Sequence, residues 1–163
     1  MTLRRIDKSY AALTHIVAVQ MTGDCQFKCR GAAMNSKYGF GKIVKMGFDE
    51  AVARVTQALQ GEGFGVLTDI DVAATMKKKL SRDMPPYRIL GACNPPLAHR
   101  AIQAEPSIGL LLPCNVVVRQ DEGGAVHVEL MDPIPVLSMV ESPDIAPVAT
   151  EIRQRLQRVM AAV

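Results

Sequence analysis

From residue 38 onward, short apolar runs alternate with residues that typically begin helices, and this alternation limits the fold more than any other feature. Each run has the length of a strand and is bounded by glycine, proline or aspartate. The predicted strands are residues 38–44, 64–70, 87–92, 108–119 and 125–131. Pro113 within the fourth strand indicates a bulge or a sheet edge. The turn at 121–124 joins the last two strands in a hairpin with one buried and one wetter face.

The residues between the strands carry helix signals. Ser, Thr, Asp and Asn accept hydrogen bonds from the first free N–H groups of a helix, and proline suits the first helical position. Such caps are Asp49, Asp71, Asn94 before Pro95 and Asp132 before Pro133. A longer amphipathic helix is predicted at 143–163. Residues 77–79 are three lysines, which suit the negative end of the helix dipole and need no ligand to explain them.

These elements predict an α+β fold, with an antiparallel or mixed sheet and helices on one side, because a hairpin does not suit a doubly wound parallel sheet. The 163 residues are 48% apolar and 21% charged, which is typical of one globular domain. We predict a single domain at 38–163. Residues 1–37 show no convincing period and are interpreted as an N-terminal extension.

The charge is unevenly distributed. The formal net charge is +3, but residues 1–45 carry eight Lys/Arg and two Asp/Glu, which leaves eleven against fourteen for the rest. A mildly acidic domain lacks the basic surface that nucleic-acid binding needs, so no nucleic-acid partner is expected. No run is long enough to span a membrane, and the N-terminal apolar stretch is a poor signal peptide, so a cytoplasmic location is expected.

The four cysteines are at positions 25, 29, 93 and 114. A domain of this size needs no disulfides, so reduced thiols are expected. Cys25 and Cys29 have no second pair to complete a metal site. Cys93 precedes a helix start, where unpaired N–H groups favour a reactive thiolate; the alternative is a buried, inert residue.

His99 lies six residues after Cys93, and its ring is predicted to point toward the same helix start. A thiol and an imidazole there would begin a nucleophilic or metal-binding site, although nothing completes a triad. Cys114 and Asn115 are predicted on a strand that can neighbour Cys93, where Asn94 and Asn115 offer amide donors to an anion. In the alternative interpretation, the two asparagines cap a helix and satisfy a bulge.

Three segments carry a family resemblance: GFGVLTDIDV at 63–72, PYRILGACNPPLAHRA at 86–101 and GLLLPCNVVV at 109–118. With them the chain resembles the bacterial and archaeal "domain of unknown function 302" family from about residue 38 to the end. The resemblance implies a fold of the TATA-binding-protein-like class, a homodimer, and no established activity. Some members are fused to or encoded near sulfur-handling domains, which implies a link to sulfur metabolism. Residues 1–37 have no counterpart in the family.

The residues and the resemblance together predict a homodimeric module that binds a small molecule without turnover, and no cofactor or metal. The predicted ligand-binding residues are Cys93, Asn94, His99, Arg100, Cys114 and Asn115, and no catalytic residue is assigned. The alternative is a thiol-based redox or sulfur-transfer protein with Cys93 as the nucleophile. A purely structural assembly protein and a metal site at Cys93, His99 and Cys114 are further alternatives.

Overall fold

A computed structural model of the chain describes residues 34–163. The strands are β1 (Met34–Ser36), β2 (Gly39–Val44), β3 (Gly65–Asp71), β4 (Tyr87–Cys93), β5 (Cys114–Gln120) and β6 (Val126–Met131). The helices are α1 (Phe48–Gly61), α2 (Val72–Leu80), α3 (Pro95–Ala104), α4 (Pro133–Leu137) and α5 (Ile145–Ala162), and a 3₁₀ helix covers Pro106–Leu111. The predicted α+β class is confirmed.

The six strands form one antiparallel sheet in the order β1-β2-β6-β5-β4-β3. Its register places apolar residues opposite one another, with Val116 facing Leu130 and Val118 facing Val128. All four are fully buried. Because side chains alternate along a strand, this register assigns one whole face of the sheet to the core.

Helices α1 and α5 supply most of the other half of the core. They contact each other, and their buried residues recur at helical spacing, as in Ala51, Val55 and Leu59 of α1. In α5 the corresponding residues include Leu156 and Val159, both fully buried. Each fully buried aliphatic side chain of this kind contributes roughly 1.5–3 kcal/mol through removal of apolar surface from water.

Three of the four predicted caps are confirmed. The Asp71 carboxylate accepts from the backbone N–H of Ala74 at 2.8 Å. The Asp132 carboxylate accepts from Ile134 at 3.1 Å, and Asn94 begins α3 immediately before Pro95. The prediction for Asp49 is wrong. Helix α1 begins two residues earlier with Gly47 as its N-cap, and Asp49 lies in the first turn, where its charge suits the helix dipole.

The strand predicted at 108–119 is wrong in its first half. Residues Pro106–Leu111 form the 3₁₀ helix, whose start is capped by the Glu105 carboxylate accepting from the N–H of Ser107 at 2.9 Å. The strand begins only at Cys114, so Pro113 lies before it and marks neither a bulge nor an edge. Strand β5 lies between β4 and β6, and the bulge of this sheet is in β3 instead.

Residues 34–36 of the predicted extension form β1, which pairs with β2, and Lys37 lies in the turn between the two strands. The rest of that extension, including Cys25, Cys29 and the N-terminal apolar stretch, lies outside the described residues. Within residues 34–163 no helix combines the length and the hydrophobicity that crossing a membrane requires.

Candidate functional site

A small cavity lies where β4 ends and β5 begins. It is bordered by Cys93, Asn94 and Cys114, and its remaining wall is apolar, with contributions from Phe64 and from Ile152 of α5. The cavity measures about 10 Å³, which is the space for roughly one water molecule. The structure therefore brings together three of the six residues predicted to bind a ligand.

The two thiols differ in burial but not in the direction of their pKa shifts. In the register Cys114 lies opposite Ala92, so Cys93 is one residue beyond the paired position. Cys114 is buried, and burial, aided by the nearby Cys93, raises its pKa to about 12. Cys93 is partly exposed, and burial also raises its pKa. Desolvation disfavours the charged form of a thiol, so both residues are neutral at physiological pH.

The raised pKa of Cys93 opposes the first of the two interpretations, in which the start of α3 stabilises a thiolate. The backbone N–H of Leu97, in the first turn of α3, donates to the side-chain oxygen of Asn94 at 3.3 Å and is not available to the sulfur. Loss of water around the sulfur therefore decides the pKa of Cys93. The alternative weighed from the sequence, a structural thiol of low reactivity, agrees better with this environment.

Asn94 is held by both ends of its amide. Its side-chain oxygen caps α3, and its nitrogen donates to the backbone oxygen of Gly63 at 3.0 Å and, at 3.4 Å, to that of Glu62. Gly63 has a φ of +80°, and a Cβ there would lie 3.1 Å from the Asn94 nitrogen, so glycine suits this turn. The amide thus joins the end of α1 to the start of α3 and has no donor left for an anion.

The other three predicted residues lie elsewhere. His99 and Arg100 are exposed on α3, and Arg100 pairs with Glu151 at 3.2 Å. Each helical residue advances by about 100°, so Ala98 lines the cavity while His99 faces away from it. Asn115 follows Cys114 in a strand and therefore projects from the opposite face of the sheet. The imidazole predicted beside Cys93 does not border the cavity.

A polar group that sequence analysis did not identify lies on the sheet face away from the core. His127 is 4% exposed although the alternation of β6 placed it on the wetter face, and its Nε2 lies 2.9 Å from an Asp121 oxygen. The other Asp121 oxygen accepts from the N–H of Ala125 at 2.9 Å. Beside this pair, Arg119 and Glu129 form an ion pair at 2.8 Å. The turn aspartate six residues before a strand histidine was the available sequence signal.

Metal ligands do not converge in the part of the chain that the structure describes. Residues 34–163 contain no group of three or more His, Cys, Asp or Glu side chains arranged to hold an ion. Cys93 and Cys114 share the cavity, but His99 does not join them. The metal site considered from the sequence therefore lacks its third ligand at this position.

An antiparallel six-stranded sheet with helices against one face, and a thiol-bordered cavity at one end, defines a small α+β domain. The chain belongs to the DUF302 family, "Domain of unknown function DUF302", whose family model matches residues 40–163. The chain is also similar to the crystal structure of an uncharacterized conserved protein DUF302 from Bacillus stearothermophilus, with a TM-score of 0.72 and 28% sequence identity. That similarity covers 78% of this chain and 98% of the other.

A comparison with curated proteins gave no match. The family resemblance inferred from the sequence is confirmed, and the solved relative supports the α+β fold. The six-stranded antiparallel sheet is compatible with the TATA-binding-protein-like class that the resemblance implies. Neither comparison brings an activity with it, so function rests on the site.

Proposed function

We propose that this protein is a homodimeric binding module that holds a small neutral molecule against Cys93 and Cys114 without turning it over. One observation carries the proposal: two thiols border the same cavity in an otherwise apolar wall. Sulfur is polarizable and only weakly hydrogen-bonding, so such a wall suits a soft, uncharged guest.

The polar groups around the cavity support the proposal that the ligand is uncharged. Both thiols have raised pKa values and carry no charge at neutral pH. The Asn94 amide is used by backbone partners on both sides. A charged guest would lose its hydration and gain no counter-charge, which is costly in an apolar site. Binding by His99, Arg100 and Asn115 remains a prediction to which the cavity gives no support.

A binding test uses methanethiol, which is small, soft and neutral at pH 7, added to the reduced full-length protein. Because the cavity has space for about one water molecule, only one of the two heavy atoms of methanethiol enters it and the other lies at its mouth. We expect chemical-shift changes at the backbone amides of Cys93 and Cys114 in ¹H–¹⁵N spectra. Ala98→Leu fills the cavity from a partly exposed helix position and should abolish these changes, and Ala98→Val should reduce them. The matched control is His99→Ala, the adjacent exposed residue, which should leave them unchanged.

The proposal fails if methanethiol shifts no cavity amide in the wild-type protein. It also fails if a folded Ala98→Leu variant, recognised by the dispersion of its spectrum, responds as the wild type does. Loss of the chemical-shift response in His99→Ala would instead indicate that the His99 imidazole is part of the binding site.

The dimer part of the proposal is supported by the β3 edge, which we define as β3 and α2. Strand β3 is the last strand of the sheet, and five of its seven residues are exposed. Helix α2 has no buried residue, which is unusual for a helix of nine residues, because short helices gain most stability from packing. Leu67, Ile70 and Leu80 are 65%, 48% and 62% exposed. An unpaired strand edge with apolar side chains suits pairing with a second copy.

Sedimentation equilibrium tests the dimer directly. The wild-type protein should have twice the mass of one chain, and Leu67→Lys on the β3 edge should shift it to the monomer. The control is Leu110→Lys, which adds the same charge at a residue that is 87% exposed and lies in the 3₁₀ helix. A wild-type monomer, or a Leu67→Lys dimer of unchanged affinity, would refute the proposed interface.

A second candidate function, thiol exchange or sulfur transfer at Cys93, is favoured by one observation. Cys93 is partly exposed and Cys114 lies behind it at the same cavity, an order that suits an attacking thiol and a resolving thiol. The raised pKa of Cys93 opposes this function, since the thiolate is the nucleophile.

A further inference from the structure

A groove lies between α4 and the first half of α5, beside the thiol cavity. It measures about 280 Å³, far more than the cavity itself. Its floor is apolar and includes Leu137, Ile145 and Ala149, all of them buried. Its rim carries hydroxyl groups, among them those of Ser138 and Thr150. A pocket of nearly this size is sufficient for a small organic molecule.

Leu137 belongs to both spaces. It is the last residue of α4, is 1% exposed, and lines the groove as well as the cavity that Cys93 and Cys114 border. The α5 surface is continuous in the same way: Ala149 lines the groove, and Ile152, three residues later on the same helix face, lines the cavity. On α4, therefore, one side chain, that of Leu137, lines both the groove and the cavity.

We propose that the groove and the cavity are two parts of one binding site for a neutral molecule with an unbranched alkyl chain. The alkyl chain lies in the groove, and displacement of the Leu137 side chain, which separates the two spaces, lets a terminal group of about the size of one water molecule reach the thiols. This inference rests on the proposed function, and it names the class of ligand that the function requires. The cavity alone is too small for such a ligand, and the groove supplies the missing volume.

The chemistry of the groove selects against charge. None of its lining residues is ionisable. The Ser138 hydroxyl donates to the Pro135 oxygen at 2.8 Å, and the Thr150 hydroxyl donates to the Ala146 oxygen at 2.9 Å, so these donors are already used by the backbone. Burying a charged group here would cost more than burying a methylene chain gains.

The surroundings add a specific bias against anions. The segment that follows α4 carries Glu141 and Asp144, both exposed, before α5 begins. Their neighbours Val140 and Ile145 line the groove, so the two carboxylates adjoin it in sequence and oppose the attraction of the α5 N-terminus for an entering carboxylate, whereas an alcohol of the same length carries no charge to repel. Alkyl alcohols or thiols are therefore favoured over fatty acids.

The test compares 1-hexanol with hexanoate by ¹H–¹⁵N titration of the full-length protein. We expect hexanol to bind with a Kd on the order of 1 mM and hexanoate at least about tenfold more weakly. The amides of Leu137 and Ala149 should shift together with those of Cys93 and Cys114, along one binding curve. Equal binding of the two probes, or no hexanol binding, would overturn the inference.

Ala146→Phe fills the groove from an exposed position of α5, and Ala161→Phe is the matched control near the end of the same helix. Ala146→Phe should abolish hexanol binding while leaving the methanethiol response of Cys93 intact, and Ala161→Phe should change neither. Hexanol shifts confined to the groove would show two separate sites; the inference would then fail while the proposed function stood. Loss of the methanethiol response in the wild type would remove the proposed function itself.

Discussion

The region around β3 and β4 has two parts that differ in burial: the Cys93 end, where the cavity lies, and the β3 edge. At the Cys93 end, α3, α4 and α5 close over the sheet, and the residues around the cavity are almost all buried. At the β3 edge, α2 has no buried residue, and Leu67 and Leu80 are mostly exposed. Burial at the Cys93 end keeps the thiols neutral, while exposure at the β3 edge leaves apolar surface without a partner among residues 34–163.

This contrast indicates which function each region can have. The cavity end has few polar groups, each with a partner or a raised pKa, so it suits selective binding of uncharged molecules. The β3 edge has free backbone groups and paired charges, such as Arg88 with Asp69 at 2.6 Å, so it suits recognition of another chain. We therefore expect substitutions at the cavity end to change the stability of the fold and substitutions at the β3 edge to change association.

The largest expected effect separates these two roles. Ile152→Ala removes a buried side chain at the cavity and should lower the free energy of unfolding by about 2–5 kcal/mol. Leu67→Ala at the exposed β3 edge should change it by less than about 0.5 kcal/mol in the monomer. Urea denaturation of both variants at low protein concentration measures the difference.

Protein concentration sharpens the same comparison. Because dimer formation stabilises the folded state by mass action, the Tm deficit of Leu67→Ala should grow as protein concentration rises. The deficit of Ile152→Ala should stay constant. Two deficits that depend on concentration in the same way would contradict the division between cavity and edge.

Much of the fold was predictable because its signals are local. Asp71 and Asp132 cap helices through bonds within three residues, and Val126, Val128 and Leu130 of β6 are buried on the core face as the sequence indicates. The error at 108–119 arose because Leu110, Leu111 and Leu112 are as apolar as a strand. The cap at Glu105 starts a 3₁₀ helix there instead, and the strand begins only after Pro113.

The candidate site was predictable only in part. Cys93 and Cys114 meet because β4 and β5 are neighbours, as the sequence suggested, but the rotation of α3 decides that Ala98 and not His99 lines the cavity. Leu137 gave no sequence signal, since a leucine on a short helix is usual in a core. Its role depends on the packing of α4 against α5, which is a tertiary contact between segments separated by a loop.

A second prediction concerns pH and uses Cys114, whose pKa burial raises to about 12. Below about pH 7 the thiol is protonated in both folded and unfolded chains and contributes no pH dependence. As pH rises further, the unfolded chain loses this proton while the folded chain keeps it, so the folded state loses relative stability between about pH 9 and 12.

The measurement compares the wild type with Cys114→Val by urea denaturation at pH 8 and pH 10.5. The wild type should lose about 2 kcal/mol more than the variant over this interval. Other groups titrate here too, but they are common to both proteins and cancel in the difference. Equal losses would mean that Cys114 is solvated, and would weaken the case for a neutral cavity.

The smallest expected effect is kinetic and decides between binding and thiol chemistry at Cys93. Burial raises its pKa, so the thiolate fraction at pH 8 is lower than that of a free cysteine. We expect iodoacetamide to alkylate Cys93 at least about tenfold more slowly than free cysteine. The Cys93→Ser variant identifies the reacting site by difference, because it keeps Cys25, Cys29 and Cys114 and lacks only the Cys93 thiol. A Cys93 that reacts faster than free cysteine at pH 7 would favour sulfur transfer over binding, because desolvation alone cannot produce a reactive thiolate.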